Sequence, residues 1–274
     1  MLCIGNQWVQ RIWGSVMVLW VLSVVITGYF IYVFLVWAPR LNQYFLIAAP
    51  VLLVANILVF LLLWSFIQTA ITDPGEVPIY WGFRVGDPDD RRRRYWLMCN
   101  VYKPERCHHC STCGRWVLNM DHHCPWVNNC VGFWNRKYFM LLLWYARLSV
   151  FYVLITLTFD FLKSCYWIYE EIVDYRNIHA FKISVAIITI ILYLFSVLMS
   201  VLIFMFYKFH KSLVRENKTT IENLEHRNEP YESRYNMGIE YNYKQVFGTN
   251  RFLDWFPIMP SSAKPKGDGI YFDK

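Results

Sequence analysis

The sequence predicts an all-α polytopic membrane protein with four transmembrane helices and a cytosolic cysteine-rich domain between helices 2 and 3. Three observations predict this. Of 274 residues, 56% are hydrophobic and only 17% charged, which leaves too little polar sequence to cover a soluble globule. Long apolar windows recur at Val16 to Ala38, Leu41 to Thr72, Tyr138 to Phe159 and Ile183 to Tyr207. Basic residues, cysteines and histidines gather in the one long polar stretch among them.

Along the chain, the start MLCIGNQW has no short apolar core followed by a cleavage site, so helix 1 reads as a retained span. Helices 1, 2 and 4 contain no charged side chain, and helix 3 is interrupted only by Arg147. Each window exceeds the ~20 residues that cross a ~30 Å hydrocarbon core. The chain divides into residues 1–72 (tail and helices 1 and 2), 73–137 (the cysteine-rich domain), 138–207 (helices 3 and 4) and 208–274 (a C-terminal region).

Positive charge sets the expected topology. Arg84, Arg91, Arg92, Arg93, Arg94, Lys103, Arg106, Arg115, Arg136 and Lys137 fall between helices 2 and 3, and Lys208, Lys211, Arg215 and Lys218 follow helix 4. The loops near Arg40 and from Lys163 to Lys182 have less positive excess, so both termini and the cysteine-rich domain are expected in the cytosol. The sequon Asn217-Lys218-Thr219 should then stay unmodified. The net charge of +7 suits contact with anionic headgroups. Nucleic acid is excluded as a partner: the basic residues are tied to the membrane and no nucleic-acid motif accompanies them.

Eight cysteines facing a reducing compartment argue for metal binding or catalysis rather than disulfides. Cys110-Ser-Thr-Cys113 is a knuckle by which two thiolates grip one zinc, and His123 and Cys130 can complete a shell of three sulfurs and one nitrogen. That leaves Cys124 over. His122 beside it, oriented by Asp121, makes a Cys/His pair with an acidic third member, the arrangement that generates a thiolate and exchanges a proton in acyl transfer. The alternative is that all of these residues ligate or support metal.

Lys103-Pro104-Glu105-Arg106, His109-Cys110, Cys113, Asp121-His122-His123-Cys124-Pro125-Trp126, Asn129-Cys130 and Gly132 closely resemble the cysteine-rich domain of the DHHC protein S-acyltransferases, or palmitoyltransferases. Asp73-Pro74-Gly75 resembles that family's DPG motif, Thr219 to Glu222 its TTxE motif, and Tyr235 to Gly238 with Asn242 to Gly248 its C-terminal element. The resemblance implies that Cys124 is the nucleophile, taking a long-chain acyl group, expected to be palmitoyl, from acyl-CoA and passing it to a protein cysteine. It implies His122 as general base, Asp121 as its polarising partner, and a structural zinc on Cys110, Cys113, His123 and Cys130. It further implies that cytosolic basic residues meet the CoA phosphates, for which Arg106, Arg115, Arg136 and Lys137 are candidates, and that the helices enclose the acyl chain. Ser149 is a candidate for lining that cavity, against a plain helix-packing role. Expected partners are acyl-CoA, the bilayer, and proteins with juxtamembrane cysteines, at endomembranes or the plasma membrane.

One departure concerns a second zinc that the family usually carries. Its four positions here are Trp96, Cys99, His109 and Trp116, so two ligands are tryptophan. One zinc per chain is expected, the tryptophans replacing metal by apolar contact, with a site rebuilt from Cys99, His109 and Cys107 or His108 as the other possibility. Arg147 is read either as snorkelling or as a bundle-facing charge paired with an acid or an acyl-CoA carbonyl. Cys3 and Cys165 are given no role, and residues 261–274 read as a mobile end. The second function class is a membrane-anchored zinc adaptor without turnover, against which the intact Asp121, His122 and Cys124 argue.

Overall fold

The computed structural model describes residues 4–78, 81, 94–96, 101–173, 180–229, 231–248 and 264–274. Cys3, Arg84, Arg91, Arg92, Arg93 and Cys99 lie outside the described residues, as do the side chains of Arg94 and Trp96.

Four long helices dominate. Helix α1 runs Ile4–Phe30 and continues through a π-helical segment, Ile31–Trp37, into one 3₁₀ turn, Ala38–Arg40. Helix α2 is Phe45–Ile71, α3 is Arg136–Val173 and α4 is Ala180–Arg215. All four are long and apolar enough to span a bilayer, over Ile12–Arg40, Phe45–Ile71, Arg136–Val173 and Ala180–Arg215, as the windows predict. Between α2 and α3 lie three antiparallel hairpins: β1 (Arg94–Trp96) with β2 (Val101–Lys103), β3 (His108–Cys110) with β4 (Arg115–Val117), and β5 (His122–Cys124) with β6 (Asn129–Val131). Two short helices follow α4: α5, Thr220–Glu225, and α6, Ile239–Phe247.

One compact unit comprises residues 22–63 and 143–208. Its core joins Tyr32, Val33, Val36 and Trp37 to Ala48, Ala55 and Leu157. In a bilayer polar side chains gain by finding partners within the protein, and two tyrosines do so here: Tyr32 Oη lies 2.8 Å from Thr156 Oγ1, and Tyr152 donates to the Val51 carbonyl at 3.0 Å. The Arg40 guanidinium meets both oxygens of Asp160, just beyond the ends of the uncharged windows. Contacts to α3 from residue 32 in the π-helical segment and residue 40 in the 3₁₀ turn fix the register of this continuation of α1 against α3. Asp160→Asn is therefore expected to strand Arg40 and cost ~3 kcal/mol, read as a lower midpoint of thermal unfolding in detergent; an unchanged midpoint would remove the pair from this role.

The other unit comprises residues 1–21, 64–142 and 209–274. Short hairpins cannot hold themselves together, and here side-chain ties secure them. Asn129 Nδ2 donates to the carbonyls of Thr69, Ala70 and Thr72 at 3.2, 3.1 and 2.9 Å, and Asn135 Nδ2 reaches the Thr69 and Cys130 carbonyls at 3.3 and 2.8 Å. These two amides satisfy carbonyls that the end of α2 leaves open and fasten β5 and β6 to it. After α2, Asp73 accepts from the Gly75 N–H at 2.7 Å and from Arg115 at 2.7 Å. A Cβ at Gly132 would sit 2.8 Å from the Pro74 carbonyl oxygen, so only glycine allows the hairpins to close on this turn.

The chain end corrects one expectation. Residues 264–274 are not a loose tail but pack on the cysteine-rich core. Ile270 and Phe272 join Val77, Cys107, Trp116, Leu118 and Phe133 in one apolar cluster, and Lys274 bonds Glu105 at 2.6 Å. Two apolar side chains supply the anchorage that the polar composition of this segment conceals.

Candidate functional site

Two groups of side chains stand back to back on the hairpins. In the first, the β5–β6 register sets His123 opposite Cys130, so their side chains share a face. The turn after β3 brings Cys113 back on Cys110, whose Sγ accepts the Cys113 N–H at 3.3 Å. His123 Nδ1 lies 3.7, 3.5 and 3.6 Å from the sulfurs of Cys110, Cys113 and Cys130, and the Cys113 and Cys130 sulfurs are 3.5 Å apart. A tetrahedron with ~2.3 Å bonds has edges of roughly 3.8 Å, so these four donors fit one metal ion. All four ligating atoms lie within 4.8 Å of one another.

The second group centres on Asp121, which is 1% exposed. His122 donates from Nδ1 to its Oδ2 at 2.7 Å. Thr220 donates its N–H to Oδ1 at 3.0 Å and its hydroxyl to Oδ2 at 2.7 Å, and Arg136 Nη2 lies 3.2 Å from Oδ1. Burial opposes the Asp121 charge, but the Arg136 guanidinium and the His122 bond outweigh it and hold the carboxyl well below its usual range. Burial likewise opposes a proton on His122, yet hydrogen bonds to Asp121 and Cys124 push it up to about 9. Cys124 itself is buried. Asp121, His122 and Cys124 thus form a hydrogen-bonded line in which a basic imidazole faces a thiol.

Helix α5 supports that line. Thr219 caps it, accepting the Glu222 N–H at 3.1 Å, while Glu222 takes the Thr219 N–H at 2.9 Å, a reciprocal capping box. The same Glu222 carboxylate receives Arg106 Nε and Nη2 at 2.7 and 2.8 Å, and Arg106 also donates to the side chain and carbonyl of Asn217 at 2.8 and 2.9 Å. Asn217 is itself buried and donates to the Tyr235 carbonyl at 2.7 Å, so its sequon is inaccessible in the folded chain.

Among the basic residues considered for a CoA head, Arg106, Arg136 and Lys137 are buried and committed within the protein: Arg106 to Glu222, Arg136 to Asp121 and the Lys218 carbonyl, Lys137 to the Phe247 carbonyl at 3.0 Å. Arg115 is partly exposed and pairs with Asp73 and Glu76 at 2.7 and 3.8 Å. In the other compact unit, Ser149 Oγ is buried with no hydrogen-bond partner among the described residues. The Arg147 guanidinium there lies 4.3 Å from the Trp144 ring and 5.2 Å from the Tyr207 ring, and no described carboxylate pairs with it. Cation–π contact replaces the acidic partner.

Of the reduced second metal position, His109 and Trp116 face each other across β3 and β4 with ring centroids 5.5 Å apart. Cys107 is fully buried in the apolar cluster with Trp116, and burial pushes its thiol up to about 12. The structure thus brings together Asp121, His122 and Cys124, and separately the four metal donors. The contacts of Thr220 and Arg136 with Asp121 were not read from the sequence. The TTxE resemblance marked the region but not the contact.

Residues 89–227 match the family profile described as DHHC palmitoyltransferase. The chain is 35% identical over 264 residues to Probable protein S-acyltransferase 14 of Arabidopsis thaliana, covering 87% of this chain and 82% of that protein. It is 33% identical over 276 residues to Probable protein S-acyltransferase 13 of the same plant, covering 93% and 88%. With Palmitoyltransferase ZDHHC15 of Rattus norvegicus it shares 38% identity over 182 residues, 65% of this chain and 50% of that protein.

Proposed function

The chain belongs to the DHHC palmitoyltransferase family and is a protein S-acyltransferase, and from that premise we propose that Cys124 carries the acyl group between acyl-CoA and protein substrates. The observation that carries this reading is the line Asp121–His122–Cys124 beside a separate, complete donor set. In the first half-reaction His122 takes the Cys124 proton. The thiolate attacks the thioester carbonyl, a carbon–sulfur bond forms to Cys124, the bond to the CoA sulfur breaks, and the leaving thiolate receives the proton from His122. The second half-reaction repeats these events with a substrate cysteine as attacking thiol, restoring free Cys124. Asp121 keeps His122 in the tautomer with its proton on Nδ1, held in turn by Thr220 and Arg136.

Cys110, Cys113, His123 and Cys130 would hold a structural zinc, which when bound supplies no chemistry beyond fixing the hairpins that present Cys124. The packing of Trp116 against His109 and Cys107 supports a single zinc per chain. Metal analysis of purified protein is expected to give one; two per chain would reject this. Arg115 is the candidate for meeting CoA phosphates, and Ser149 for lining the acyl cavity. The cysteine-rich domain of residues 73–137 and both termini face the cytosol, at an endomembrane or plasma membrane, where an acyl chain stabilised in lipid by ~0.8 kcal/mol per CH₂ meets a nucleophile at the surface. Substrates are proteins with juxtamembrane cysteines.

The test is transfer. Protein loaded from an alkyne palmitoyl-CoA and freed of CoA should pass its label to a lipid-tethered peptide bearing a cysteine. Label that never leaves the chain would favour an adaptor.

A further inference from the structure

His210, in the last turns of α4, is 2% exposed. An imidazole so deeply buried loses free energy unless its polar edge is used. Its Nδ1 points at Asp121 Oδ2 from 3.7 Å, and its ring lies 5.5 Å from that of His122. Phe139 and Phe209 meet it edge-on at 4.9 and 5.2 Å between centroids, which restrains the ring.

We propose that His210 is a positioning residue for the acyl transfer, its Nδ1 steadying the Asp121 carboxylate while His122 exchanges a proton with the reacting sulfurs. At rest, Oδ2 already accepts from His122 and from the Thr220 hydroxyl, both at 2.7 Å. The His122 bond must loosen whenever that ring swings between Cys124 and the CoA or substrate sulfur. From 3.7 Å, His210 Nδ1 needs a shift of less than about 1 Å to reach bonding distance. His210 then takes over the oxygen that His122 releases, and the carboxylate stays in place to receive His122 again. Asp121, His122 and His210 also have donors close enough to suit a cation, but the Arg136 guanidinium 3.2 Å from Asp121 sets a fixed positive charge against one.

This inference rests on the proposed roles of His122 and Asp121, so His122→Ala is run beside it. The assay is single-turnover acylation of the full chain by alkyne palmitoyl-CoA. His210→Phe, which keeps a ring and removes the donor, is expected to lower the maximal rate about 10- to 100-fold while leaving the half-saturating acyl-CoA concentration and the metal content unchanged. His210→Gln, which restores a donor, should recover most of the rate. Wild-type acylation by His210→Phe would overturn the proposal, as would a glutamine variant no faster than phenylalanine, or a loss that tracks released metal. Undiminished acylation in His122→Ala would instead refute the catalytic reading on which the proposal stands.

Discussion

Cys130→Ser is expected to release the metal and abolish acylation together. Cys130 sits on β6 opposite His123, with its sulfur 3.5 Å from that of Cys113. Serine offers a poor ligand in place of a thiolate, and metal binding free energy in small sites of this type is folding free energy. The apolar cluster described around the donors is small, Cys110, Val117, Met120 and Cys130 with Cys113 and Ile221 at its edge, so the metal carries much of the cohesion at that point. Metal content of the purified variant should fall below about a tenth of the wild type, and Cys124 should no longer take label. A fully metallated Cys130→Ser would take Cys130 out of the donor set.

His122→Ala is expected to keep its metal yet slow acylation of Cys124 by about 10³-fold, within the range for loss of a general base. The two losses separate because the two groups of side chains are distinct: His122 bonds Asp121 at 2.7 Å, whereas His123 turns its Nδ1 to the three sulfurs. Neighbouring residues on a strand point to opposite faces, so β5 sends His123 to the metal and His122 to the carboxylate. A variant with wild-type acylation rates would leave Cys124 without a base in this account.

The same period of two explains how much of the site was legible in advance. Spacing within residues 107–130 offers a metal shell that includes His123 and leaves His122 beside Cys124. It is equally compatible with every one of them serving metal, and the roles of the two histidines came from the family resemblance. The four spans were legible because lipid tolerates only long uncharged helices or closed barrels. What surrounds Asp121 was not legible. Thr220 arrives from 99 positions away, and Arg106 meets Glu222 across 116. No local pattern in a single sequence states such pairings. For the same reason Arg106, Arg136 and Lys137 read as exposed cations for a phosphate, whereas each is buried against a carboxylate or a carbonyl. The chain end was hidden differently. Ile270 and Phe272 carry no periodicity, so nothing marked them as core until Phe133 and Trp116 were seen beside them.

The most direct measurement is mass spectrometric mapping of the palmitoylated peptide after incubation of the purified chain with palmitoyl-CoA. A hydroxylamine-labile acyl group on Cys124 of the wild type, absent from a metal-replete Cys124→Ser, is the predicted result. Label that persists on the chain in Cys124→Ser, at the same stoichiometry and lability, would contradict it.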